Sequence, residues 1–203
     1  LGFLYTNGRA NDFQRYSLVA RAYYNFDEVL PVKGVVLKSN VEYGLIHTDD
    51  ELVFENFYMG GFNTIRGYYL RSVSPVSRVG SAIDPSAPLL EFRTGGNQQI
   101  FTNLELEFPL LEQVGIRGVA FFDAGNVFGP LESVFYVGQQ DNPHPELPLG
   151  LYYSVGLGIR WFSPIGPLRF EFGVPLTPRP KGTFGFAQGD QPFTFEFNVG
   201  NSF

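Results

Sequence analysis

The sequence predicts an all-β fold, specifically an antiparallel transmembrane β-barrel. Three observations predict it. Apolar residues recur with a period of two, and Gly, Pro, β-branched and aromatic residues are spread throughout. Several alternating runs reach ten to fourteen residues. Globular strands usually run about five to six residues, whereas a tilted strand of about 9–11 crosses a bilayer. The connections sort strictly into short and long, as barrels with short periplasmic turns and longer outer loops require.

Eight strands are expected, near 1–7, 13–26, 34–47, 98–109, 115–128, 150–162, 167–176 and 192–203. In the fourth, Leu104, Leu106 and Phe108 alternate with Asn103, Glu105 and Glu107. In the fifth, Ile116, Ala120, Phe122 and Phe128 oppose Arg117, Phe121 and Asp123. The sixth sets Leu151, Tyr153, Val155, Leu157, Ile159 and Trp161 against Tyr152, Ser154, Gly156, Gly158 and Arg160. The seventh alternates Leu168, Phe170, Phe172 and Val174 with Arg169, Glu171 and Gly173. In the last, Phe193, Phe195, Phe197 and Val199 share one face opposite Thr194, Glu196, Asn198 and Gly200. Polar faces opposite apolar ones fit strands with lipid outside and a polar interior. Aromatics near strand ends (Tyr23, Tyr24, Phe26, Trp161, Phe162, Phe193) suit interfacial girdles.

Short connections fall at 27–33, 110–114 and 163–166, and long ones at 48–97, 129–150 and 177–191. A soluble sandwich has no reason to sort its loops by parity. The short side is expected to be periplasmic.

Composition bounds the function. The length of 203 residues suits one domain, read as a barrel domain over 1–203 with a long loop at about 48–97. A net charge of −6 lacks the basic footprint of a nucleic-acid binder. With no Cys there is no disulfide framework or thiolate site. No run approaches the roughly 18 apolar residues of a membrane helix. The opening Leu1-Gly2-Phe3-Leu4 has neither the charged region of a signal peptide nor an initiator Met, so the chain is expected to be a piece of something longer.

Residues for covalent chemistry are not found. His47 and His144 have no metal-type partner spacing, and no G-x-S-x-G elbow is present. Gly60-Gly61 opens no helix, so it is no phosphate cradle. Glu105 and Glu107 lie two apart on one strand face, which a polar barrel wall explains without acid–base catalysis. No enzyme, cofactor or metal is expected.

Three segments stand out: 56–68 at the head of the longest connection, 121–128, and 161–170 with the following Gly173-Val174-Pro175-Leu176. They resemble the C-terminal barrel of the BamA family of outer-membrane protein assembly factors. Ile65-Arg66-Gly67-Tyr68 is similar to the family's arginine-glycine-aromatic loop motif, with Tyr in the usual Phe place. Phe122-Asp123-Ala124-Gly125 resembles its aspartate-glycine strand motif. Ser163-Pro164-Ile165-Gly166-Pro167-Leu168-Arg169-Phe170 looks like the turn before the penultimate strand and favours this branch over two-partner secretion. The end, through Phe195, Phe197, Val199 and Gly200 to Phe203, is like a C-terminal insertion signal and seam strand. The likeness runs from about residue 13 to the end, with the four motifs in the family's order.

The resemblance implies a bacterial outer-membrane protein that inserts other β-barrels. Its partners would be the bilayer, unfolded outer-membrane proteins and accessory lipoproteins. It also implies that the long loop folds into the lumen, where Arg66 meets Asp123 and, as the second wall acid, Glu107. A polypeptide-secretion pore of the same superfamily, or an outer-membrane porin or enzyme, is the alternative. The family's barrel has roughly twice the strands counted here, and an eight-stranded barrel is just filled by its own side chains. The chain is therefore expected to be the C-terminal half of a larger barrel.

Overall fold

The computed structural model describes residues 2–6, 9–48, 54–79, 90–129, 148–164, 166–179 and 189–200. Its strands are β1 (Gly2–Thr6), β2 (Arg9–Asn25), β3 (Val36–Thr48), β4 (Val76–Val79), β5 (Leu90–Arg93), β6 (Gln98–Leu111), β7 (Ile116–Phe128), β8 (Tyr152–Ser163), β9 (Gly166–Pro175) and β10 (Thr194–Val199). Eight of them form one sheet in the order β1-β2-β3-β6-β7-β8-β9-β10, and each neighbouring pair is antiparallel. All eight expected strands are present in chain order. No helix among the described residues is long and apolar enough to cross a membrane, which leaves crossing by strands untouched.

The differences lie at the ends and in the long connection. β10 stops at Val199, short of the expected 203; Gly200 has φ +120° and still donates its N–H to the Pro167 carbonyl of β9 at 2.8 Å. Residues 201–203, and with them Phe203, lie outside the described residues. The long connection carries the β4–β5 hairpin, which the alternation pattern did not signal. Among the described residues β1 and β10 pair only inward, so the sheet has two open edges.

The two faces have opposite chemistry, as period-2 alternation demands. On one face Leu157 is 64% exposed, and Phe172, Phe195, Phe197 and Val199 are 50–59% exposed. Their rings stack across strands, Phe170 on Phe197 at 5.0 Å and Phe172 on Phe195 at 4.9 Å. A continuous apolar face of this extent is disfavoured in water and fits lipid. At the short-turn end Tyr23, Tyr24, Trp161 and Phe162 are exposed, and the Trp161 indole N–H donates to the Val114 carbonyl at 3.0 Å. Rings with one apolar and one polar end suit a membrane interface.

The opposite face buries charge. Glu105, Glu107, Asp123, Arg160, Arg169 and Glu171 are all at most 7% exposed. They are covered by the connection between β3 and β6, which lies across this face. Its Met59, Ile65, Tyr68 and Val73 are fully buried against Ile46, Phe101, Val127 and Tyr152 of the sheet. The core therefore sits between loop and sheet. The loop holds its own shape through a Met59–Val73 bridge at 2.9 and 2.8 Å, and a Phe57–Gly96 bridge ties its start to the residues just before β6.

Candidate functional site

The loop's turn at Ile65-Arg66-Gly67-Tyr68 meets the wall where β6, β7, β8 and β9 present their polar faces. The Arg66 side chain is 2% exposed. Its Nε and Nη2 donate to the two oxygens of Asp123 at 2.8 and 2.7 Å, a planar fork on a planar carboxylate. The Arg66 backbone N–H adds a third bond to the same carboxylate at 3.0 Å. Nη1 reaches Glu105 at 2.6 Å and Glu171 at 3.1 Å. The flat face of the guanidinium lies 3.6 Å from the centre of the Phe121 ring. Carboxylates thus take its edges and an aromatic ring one face.

Burial alone would push the Arg66 guanidinium down. The Asp123 hydrogen bonds, and the charges of Asp123, Glu171 and Glu105, outweigh it and hold the group above its ordinary value. Arg66 is a permanent cation here.

The wall residues follow from strand register. Asn103, Asp123 and Ser154 stand opposite one another on β6, β7 and β8. One step along, Glu105, Phe121, Gly156 and Gly173 form the next row. Gly156 leaves room for Phe121, since a Cβ there would fall 2.1 Å from its ring. Gly173 leaves room for the loop backbone, because its Cβ would fall 2.5 Å from the Gly67 nitrogen. Gly67 itself has φ +91°, a conformation that favours glycine. Arginine then serves the acids, glycine the close approach, and the aromatic residue the packing. Tyr68 lies edge-on to Tyr152 at 5.6 Å and donates its hydroxyl to the Tyr153 carbonyl at 2.9 Å. Burial pushes its phenol up to about 12 despite hydrogen bonds with Thr177.

Glu107, expected as the second acid for Arg66, is held elsewhere. Lys38 reaches it at 2.6 Å, Arg160 at 3.0 Å, and Arg117 also bonds it. Glu105 and Glu171 take the place expected of Glu107. Glu105 stands one row from Asp123, with a row spacing of about 7 Å, whereas Glu107 and Glu171 both stand two rows away, and Glu107 is there engaged by Lys38, Arg117 and Arg160. Glu171 reaches Arg66 by leaning over Gly158, where a Cβ would fall 2.8 Å from its Cγ. Arg160 joins Glu105, Glu107 and Glu171, and Arg169 bonds Glu171 at 2.7 Å. The pattern of Arg169 and Glu171 opposite Phe170 and Phe172 had already placed both on the polar face; what it lacked was the height at which the loop lands. Phe195, Phe197 and Val199 sit on the exposed apolar face of β10, and Gly200 just beyond it.

The Omp85 superfamily domain matches residues 3–203. The chain belongs to the Omp85 superfamily. Outer membrane protein assembly factor BamA of Nitratidesulfovibrio vulgaris is 36% identical over 154 residues, covering 76% of this chain and 16% of that protein. BamA of Neisseria meningitidis serogroup B is 29% identical over 168 residues, covering 74% of this chain and 19% of that protein. Outer envelope protein 80, chloroplastic, of Arabidopsis thaliana is 32% identical over 135 residues, covering 66% and 15%. The crystal structure of BamA from Haemophilus ducreyi lacking POTRA domains 1–3 superposes with a TM-score of 0.67 at 20% identity, covering 94% of this chain and 35% of that one.

This Omp85 chain thus spans less than a fifth of the length of its curated relatives. Its eight-stranded open sheet matches part of a larger barrel, as the loop's bulk requires. The setting is an outer membrane, and the exposed apolar face suits lipid as the buried charged face suits a barrel interior.

Proposed function

We propose that this chain is the C-terminal part of the barrel of an outer-membrane protein assembly factor, and that it promotes insertion of other β-barrel proteins without covalent chemistry. The observation that carries the reading is the anchoring of the loop motif through Arg66 to Asp123, Glu105 and Glu171. Arg66, Arg160 and Arg169 are each paired with acids of the wall, so the cluster's role is mechanical: it fixes the loop over the polar face. In this reading 48–97 is a lumen loop, and Arg66, Gly67, Tyr68 and Asp123 are its tether, with Glu107 part of the surrounding ion network.

Among the described residues β10 pairs only with β9, and its other edge is proposed as the seam at which a substrate strand is added by β-augmentation. An unfolded outer-membrane protein is the proposed substrate, the bilayer the medium, and accessory lipoproteins further partners. Phe195, Phe197 and Val199 give β10 its lipid face, and the terminal stretch to Phe203 is proposed as the signal by which the chain is itself inserted.

The test uses the full-length protein in cells depleted of their own assembly factor. Wild type is expected to restore the heat-resistant, folded form of resident barrel proteins, and Arg66→Ala to fail while still reaching the membrane. Export of a soluble polypeptide with no gain in folded barrels would instead assign the secretion pore.

A further inference from the structure

A second fork repeats the geometry of the first at the far end of the loop. Arg179 follows β9, and Asp190 precedes β10. The Arg179 Nε and Nη2 donate to the two oxygens of Asp190 at 2.9 and 2.7 Å, and its backbone N–H to the same carboxylate at 2.8 Å. The Asp190 N–H returns a bond to the Arg179 carbonyl at 3.0 Å, which closes the base of this connection. The guanidinium then continues to the lumen loop. Nη2 donates to the Ser72 hydroxyl at 2.9 Å, and Nη1 to the Ser72 carbonyl. Its charge lies 5.8 Å from the Tyr68 ring and 5.6 Å from that of Tyr152. Arg179 is 9% exposed, and the Asp190 side chain 1%. Beside it, the Thr177 hydroxyl joins the Tyr68 hydroxyl at 2.8 Å.

We propose that Arg179 is a positioning residue that clasps the lumen loop to the start of the last strand, so that the loop and β10 move as one body. Three facts converge on this. β10 has one strand neighbour among the described residues, β9, over six residue pairs. Asp190 lies four residues before it, so whatever holds Asp190 sets where β10 begins. The group holding Asp190 also holds Ser72, one residue before the Met59–Val73 bridge that shapes the loop. Arg66 fixes the loop to β6, β7 and β9; Arg179 fixes it to Asp190 in the segment that leads into β10. Release of the loop at either fork is thereby felt at β10. The inference goes beyond the proposed assembly activity and does not depend on it, because its readout is structural.

Amide hydrogen exchange on the full-length protein in lipid tests it. In Arg179→Ala, protection is expected to fall roughly tenfold or more both at Ser72 and Val73 and at the start of β10, as loss of charge-assisted bonds implies. Protection at 119–124 of β7 should change less than about twofold. Asp190→Asn keeps the shape and removes the charge, and should give the same paired loss, smaller in size. Should Arg179→Ala lose protection throughout the barrel, Asp190→Asn and Ser72→Ala decide: loss at both the loop and β10 supports the clasp. Loss at one segment without the other, or at neither, overturns it.

Discussion

Replacing Arg66 by Ala removes four hydrogen bonds to three buried carboxylates at once. The backbone N–H bond to Asp123 survives only if the loop stays in place. The acids are not equally stranded. Glu105 keeps two bonds from Arg160, and Glu171 keeps Arg160 and Arg169. Asp123 keeps Asn103 at 2.9 Å, a neutral amide against a full charge. Breaking a buried ion pair from one side costs about 3–5 kcal/mol, because it leaves an unpaired charge in a low dielectric. That range is expected for Arg66→Ala. Asp123→Ala should cost less, since Arg66 retains Glu105 and Glu171. The double variant removes the stranded charge together with its partner, so it should be no worse than Arg66→Ala alone. The assay is the urea midpoint of the full-length barrel in lipid, read by mobility without boiling, for wild type, both singles and the double. Additivity within about 0.5 kcal/mol would refute a shared contact.

Four further outcomes are expected. Gly173→Ala should expel the loop, because its Cβ would meet loop backbone at 2.5 Å, while Val174→Ala on the lipid face should not; protease cleavage between 54 and 79 distinguishes them. The Gly34 N–H and then the Asn25 amide hold Asp27 below its ordinary value of 3.8, so its support of the β2–β3 turn is complete above that pH and lost as pH falls through the lower folded value. The Gly34 amide shift should therefore titrate with a midpoint under 3.8, and Asp27→Asn should abolish it. Glu112→Cys in a short turn should be protected from a reagent added outside cells, and Gln191→Cys at a long connection labelled; the reverse would invert the topology. Deleting Phe203 should slow insertion of the chain more than it lowers the urea midpoint, and a lowered midpoint at an unchanged insertion rate would make Phe203 merely structural.

The strands were legible because each carries one lipid face and one polar face, and a period of two survives in the sequence whatever the tertiary context. Arg66 and Asp123 were legible through their motifs, and alternation placed Asp123 on the polar face. What alternation does not encode is the height at which a loop meets a wall. Glu105 and Glu107 are equivalent in pattern, yet only Glu105 stands in the row beside Asp123. The glycines at 156 and 173 read as small polar-face residues; their role as space for Phe121 and for Gly67 exists only once strands and loop are brought together. The fork of Arg179 and Asp190 joins residues of an irregular connection, where no periodicity marks a partner.

The central claim is that an anchored lumen loop in this barrel serves the folding of other barrels. The most direct measurement is the folding rate of an unfolded outer-membrane barrel protein added to liposomes that contain the full-length protein. Wild type should accelerate folding over empty liposomes, and Arg66→Ala should lose roughly tenfold or more of that acceleration while remaining inserted. Equal rates with wild-type and empty liposomes, or an Arg66→Ala protein as active as wild type, would contradict the account.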